Sequence, residues 1–317
     1  MVGSDSKNKL GTVALQPEGD VVAGSWGTWD IVYTVGSQGM AIGGGLRILP
    51  PYEGMTRWEL GRVVGFTSRP GAGLAIKTEN TNPISYHWRH PPVVEVTVTG
   101  CPLKLGDTIT VRLGERGMVW SGFRVRTRVP DFAMENAEFH VYVDFEGKGQ
   151  TTRELQVPEP YILLENAPKV NIVPDKPAKL KVCARATTGK GTVFPLMIFV
   201  EDQYGNAVSK YEGTVKLEST DPKAKLPVSV DFLLEDNGAK TLSNCKVTHG
   251  EVHYIAAYDL NNSLIGRSNP ISVGFAKPYQ IYFGDPHVMT GRGGMGKKGG
   301  SLLEQVMYMK GNQLGDT

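Results

Sequence analysis

A chain of 317 residues, 40% hydrophobic and 21% charged, has the composition of a globular protein of two or three domains. Lys plus Arg (34) nearly balances Asp plus Glu (32), so no global field draws nucleic acid or an anionic membrane, and neither is an expected partner. The 39 Gly and 20 Pro punctuate the chain often, as in all-β proteins with many turns.

Residues 1–10 are polar and read as a disordered N-terminus without the apolar core of a secretory signal. No run approaches the roughly 20 apolar residues of a membrane helix, so a cytoplasmic location is the default expectation. Short β-rich segments then follow at 11–15, 29–35, 93–99, 108–113, 119–129 and 138–145. Val93-Val94-Glu95-Val96-Thr97-Val98-Thr99 alternates apolar and polar residues, the pattern of a half-buried strand. Leu105-Gly106-Asp107 and Glu146-Gly147-Lys148-Gly149 supply turns. Residues 36–45 read as a glycine-rich loop, and the stretch from Pro50-Pro51 to Pro92 as a long aromatic-bearing insertion. An irregular β-sandwich domain over 11–165 is the expectation.

Prolines 158, 160, 168, 174 and 177 mark a boundary, placed at 165/166. Beyond it, expected strands fall at 178–186, 194–201, 213–219, 228–234, 241–247, 251–258 and 272–275, with Asp236-Asn237-Gly238 as a strong turn. About seven strands in ~100 residues is immunoglobulin-like sandwich density, so 166–278 is read as such a domain. Residues 291–317 form a flexible tail in which Ser301 and Glu304 have the spacing of a capping box, for one short helix over 301–310. The expected fold class is therefore all-β, two tandem sandwiches plus that tail.

Few residues carry chemistry. Cys101, Cys183 and Cys245 are odd in number and widely spaced, and read as thiols, with a Cys183–Cys245 bridge as the alternative. Arg124, Arg126 and Arg128 alternate along one expected strand; with Trp88 they are a candidate binding surface for an anionic ligand, a polysaccharide or a partner domain. Trp26, Trp29, Trp58, Trp88 and Trp120 all precede residue 121 and read as core and loop anchors, or as a sugar-binding face. His249 and His253 flank a turn and strand, so their spacing of four gives no shared face. No nucleophile elbow, phosphate loop or zinc-protease helix occurs, and no catalytic residue is assigned.

The segment Tyr282-Phe283-Gly284-Asp285-Pro286-His287-Val288-Met289 is the exception. On an extended segment, residues i and i+2 face one side, so Asp-x-His-x-His aims its ligands at one ion. Here Met289, a soft thioether, stands in the second histidine position, leaving Asp285 and His287 as a vestigial metal pair.

Gly24-Ser25, residues 29–35, Gly43-Gly44-Gly45, Asp202-Gln203-Tyr204-Gly205-Asn206, Tyr211-Glu212-Gly213, Asn269-Pro270 and Tyr282-Phe283-Gly284-Asp285-x-His287 occur in that order. This series resembles the N-terminal region of domain-of-unknown-function family 3604, proteins similar to the PHP-type metal-dependent hydrolases. The resemblance implies that 279–290 is the remnant of the strand opening the hydrolase domain, whose Zn, Mn or Fe ligands begin with Asp285 and His287. The family's second histidine and its Ser-Asp-Gly are replaced, and only 27 residues follow Thr290. A shortened gene copy or a tail read out of frame is the expected origin, and translation of the neighbouring DNA in the other frames tests it.

The expected function is a non-catalytic accessory β-sandwich region that holds no cofactor itself and partners a hydrolase domain or chain. The alternatives are a metal-dependent phosphoesterase taking ligands from another chain, and a carbohydrate- or protein-binding module.

Overall fold

A computed structural model describes residues 9–53, 56–79, 92–115, 126–149 and 161–274. The chain divides into two compact units, Met1–Pro174 and Asp175–Thr317.

The strands of the first unit are β1 (Thr12–Gln16), β2 (Val21–Val22), β3 (Trp26–Gly27), β4 (Trp29–Thr34), β5 (Gly45–Leu49), β6 (Tyr52–Glu53), β7 (Thr56–Arg57) and β8 (Val63–Thr67). They continue as β9 (Gly73–Glu79), β10 (Val93–Thr99), β11 (Thr108–Leu113), β12 (Thr127–Arg128), β13 (Met134–Glu138), β14 (His140–Asp144), β15 (Ile162–Leu163) and β16 (Lys169–Val173). Two sheets dominate, one ordered β1-β4-β11-β8 and the other β15-β14-β5-β10-β9. Alternation decides which side chains meet between them. In β4, Trp29, Ile31 and Tyr33 are buried while their neighbours are half-exposed, and Ile109, Val111 and Leu113 repeat the pattern in β11. Leu46, Ile48, Val94, Val96, Val98, Val141 and Val143 of the other sheet join the same core. Each such side chain contributes roughly 1.5–3 kcal/mol on burial. Trp58 fills the centre, edge-on to Trp29 at 4.9 Å and 5.4 Å from Phe139.

The second unit holds β17 (Lys179–Ala184), β18 (Thr187–Thr188), β19 (Val193–Glu201), β20 (Gly213–Ser219), β21 (Ser229–Phe232), β22 (Ala239–Lys246), β23 (Val252–His253), β24 (Ile255–Asp259), β25 (Leu264–Arg267) and β26 (Ile271–Val273). Its sheets run β17-β19-β22, β18-β26-β23 and β21-β20-β24-β25. β19 lies between two partners, and its run Leu196 to Val200 is buried throughout, which explains an apolar stretch without alternation. Phe194, Leu196, Ile198, Val200, Val215, Phe232, Ile255, Ala257 and Ile271 build one core. The chain is an all-β protein of sandwich domains, the second immunoglobulin-like.

Several expectations change in detail. The Pro50–Pro92 stretch contains β8 and β9, and β9 pairs with β10 along its whole length. Gly73 and Ala75 on the partner of an obvious strand hid the signal, because small residues blunt the apolar alternation. Residues 138–145 divide between β13 and β14 around buried Phe139. β25 was absent from the expected set; its Gly266 sits where a Cβ would lie 2.1 Å from the Leu180 carbonyl oxygen. The division falls after Pro174, not at 165/166, because β16 pairs with β13 and β2 of the first unit. All three cysteines are free: Cys183 stands opposite Met197 on β19 and Cys245 opposite Phe194, with β19 between them. Residues 1–8 of the N-terminus expected to be disordered, most of the expected 119–129 strand, the 279–290 segment and the tail in which a helix was expected lie outside the described residues.

Candidate functional site

Of the sequence-derived binding residues, Arg124 and Trp88 lie outside the described residues, as do Asp285 and His287. Arg126 is exposed in a bend just before β12. Arg128 follows on β12, opposite Trp26 on β3. Its guanidinium donates to Glu59 Oε1 at 3.3 Å and to Asp131 Oδ1, so it is neutralised between two carboxylates. The expected cationic stripe is not free at this position. Trp26 is 44% exposed beside it, and Phe132, next in sequence to Asp131, is 51% exposed.

The motif residues of the second domain have a different occupation. Asp202, buried at the start of Asp202-Gln203-Tyr204-Gly205-Asn206, accepts from the backbone N–H of Asp175, Tyr204 and Asn206 at 3.0, 2.9 and 2.9 Å. The Tyr211 hydroxyl donates to Asp259 Oδ2, while Asp259 also accepts from the backbone of Asn261 and Asn262 and from the Asn262 side chain. Burial alone would raise the Asp259 pKa; those donors outweigh it and hold the carboxyl below its ordinary range. The same burial and the carboxylate beside it push the Tyr211 phenol up. Asn269 Oδ1 accepts the Ala184 N–H at 2.9 Å. In the first unit, Asp144 accepts from Glu146, Gly147 and Gly149 and closes the turn expected there.

Asp221 is the most heavily used acid. It is buried and accepts the N–H groups of Lys223, Thr248 and His249 at 2.9, 2.6 and 3.2 Å. It also accepts the His249 Nδ1–H at 2.5 Å. Desolvation pushes its pKa up, but the hydrogen bonds dominate and hold it far below the usual carboxylate range. The His249 and His253 rings lie 6.5 Å apart, which corrects the expectation of no shared face. The turn between them folds the chain back, and periodicity along a strand carries no trace of it. Among the described residues, no group of three or more His, Cys, Asp or Glu side chains converges as a metal centre.

No protein-family model and no curated protein matches the chain. Among solved structures, it is similar to the cohesin module of a Clostridium perfringens family 33 glycoside hydrolase, at 15% identity and TM-score 0.29, over 53% of this chain and 99% of that one. It is also similar to activated Escherichia coli alpha-2-macroglobulin, at 10% identity and TM-score 0.24, over 83% of this chain and 23% of that one. For red sea bream transglutaminase the values are 8% and 0.21, over 83% and 31%. Likeness at this level says nothing of activity.

Proposed function

We propose that this chain is a non-catalytic accessory β-sandwich region of the kind that precedes the hydrolase domain in domain-of-unknown-function family 3604. The observation that carries the reading is the use of the buried acids. Asp144, Asp202, Asp221 and Asp259 are each held by hydrogen bonds that close turns, so these four carboxylates act as scaffold. The other buried acid, Glu95, is ion-paired with Arg47 at 3.4 Å and Lys77 at 3.7 Å within the first unit. A carboxylate serving acid–base chemistry needs a lone pair or proton facing substrate. The resemblance-bearing segments of the second sandwich are among these turns, and β26 closes that sandwich ahead of Gly284-Asp285-x-His287. In this reading, Asp285 and His287 mark where a partner hydrolase domain or chain begins. The divalent metal of such a hydrolase would need ligands that the described residues do not bring together. Phosphoesterase turnover is the test. The purified chain, supplied with Zn, Mn or Fe, should show none, and Met289→His should create none. Turnover abolished by His287→Gln would overturn the reading.

A second reading, a carbohydrate-binding module, draws on exposed Trp26, opposite Arg128, and on exposed Phe132. Binding on a glycan array that Trp26→Ala abolishes would favour it; no binding, or binding that survives the change, would count against it.

A further inference from the structure

Thr220 and Asp221, adjacent in the turn after β20, each address the Nδ1 atom of a different histidine. Asp221 Oδ1 accepts from His249 Nδ1 at 2.5 Å, and Thr220 Oγ1 lies 3.2 Å from His253 Nδ1. An imidazole that donates from Nδ1 to a carboxylate keeps the lone pair on Nε2, the arrangement that orients metal-binding histidines. His253 is only 6% exposed, yet its Nε2 has no hydrogen-bond partner. Buried ring nitrogens ordinarily find one. The two rings lie 6.5 Å apart at 61°.

We propose that His249 and His253 form a two-histidine site for a borderline divalent cation, Zn²⁺ in the first instance. Asp221 and Thr220 orient the rings, and water completes the coordination. Imidazole nitrogen suits Zn, Cu and Ni and is poor for Mg or Ca. Two imidazoles on one tetrahedral ion, with Zn–N near 2.0–2.1 Å, have centroids about 5 Å apart. The rings must therefore close by roughly 1.5 Å. His249, with its side chain 42% accessible, is the ring with room to pivot, turning about its Nδ1 bond to Asp221 so that this contact is kept. Asp221 is no ligand here, since both oxygens are occupied by the turn. Lys190 runs over Gly250, next in sequence to His249, where a Cβ would meet its Cε at 2.7 Å and its Nζ at 3.1 Å, so its ammonium lies on the His249 turn and disfavours a second cation there. Two nitrogen ligands and a nearby ammonium make this a weaker site than a zinc centre with three or four protein ligands. The site belongs to the second sandwich and stands independently of the accessory reading, because Zn²⁺ binding without turnover is the expected result.

The chain has six histidines, so the test must locate the ion. Titration calorimetry of the full chain with ZnCl₂ should lose this binding event in His249→Gln, a change on the exposed turn. Thr220→Val should weaken it about tenfold, the usual effect of removing an orienting partner. Lys190→Gln should tighten it. Electron paramagnetic resonance with Cu²⁺ in place of Zn²⁺ should show two coordinated nitrogens in the parent and one in His253→Gln, with circular dichroism confirming the fold. Undiminished binding in His249→Gln would overturn the proposal. So would binding lost only on changing His87, His90, His140 or His287.

Discussion

Asp221 shows how far one carboxylate can organise a turn. Its folded pKa is depressed, so its contribution to stability is fully present above the unfolded carboxylate pKa of about 4. It is lost as pH falls through the folded value. Asp221→Asn keeps the shape but places an amide donor among N–H groups, and should cost about 2–4 kcal/mol at pH 7. The difference in urea midpoint between parent and variant should shrink below pH 4; a gap that stays constant to pH 2 would contradict the assignment. Trp58 presents the opposite case, a buried indole whose Nε1 lacks a partner. Trp58→Phe removes that unpaired donor and should cost less than Trp58→Ala, for which about 3–5 kcal/mol is expected. Denaturant unfolding compares them. A core place for Trp58 was legible in the sequence, but its unpartnered Nε1 and the role of Asp221 were not. An Asp before a Gly or Asn announces a turn, but the distant amides it collects depend on strands brought together from elsewhere.

Among the elements, alternation was the reliable signal. Residues 93–99, 108–113 and 213–219 coincide with β10, β11 and β20 because their apolar residues recur at every second position. β13 and β16 escaped although they carry no glycine. The other strands that escaped are short or carry glycine, and where glycine stands the fold demands a small residue for its own reasons. Gly45, on β5 between β14 and β10, has no room for a side chain: a Cβ would lie 1.7 Å from the Val96 carbonyl oxygen. Gly45→Ala should therefore destabilise the first sandwich by at least about 2 kcal/mol, read from its urea midpoint. The turn after β21 followed expectation more closely. Asn237 and Gly238 adopt left-handed φ values of 50° and 71°, and a Cβ at Gly238 would meet the Val208 carbonyl oxygen at 2.3 Å.

For the whole molecule, two separate cores imply two cooperative units. Scanning calorimetry of Ile198→Ala should lower one transition, by about 2–5 kcal/mol of stability, and leave the transition of the first core in place. A fragment beginning at Asp175 and ending at residue 278 should melt cooperatively by itself. One merged transition shifted as a whole by Ile198→Ala would contradict the division. The sandwich class was readable from turn spacing and strand density. The boundary was not, because β16 continues past the first prolines to pair with nearby β13 and with β2, more than 100 residues earlier.

β26, the last described strand, lies in the middle of its sheet, parallel to β18 and antiparallel to β23. Ser272 donates to Ala186, Gly274 to Thr188 and Val273 to Glu251, so both flanks are fastened within three residues. Tension applied to the chain beyond Gly274 would load these bonds together in shear, whereas a strand at a sheet margin could be unzipped one bond at a time. The last described strand of the second sandwich is thus placed to resist tension as a unit and not to peel.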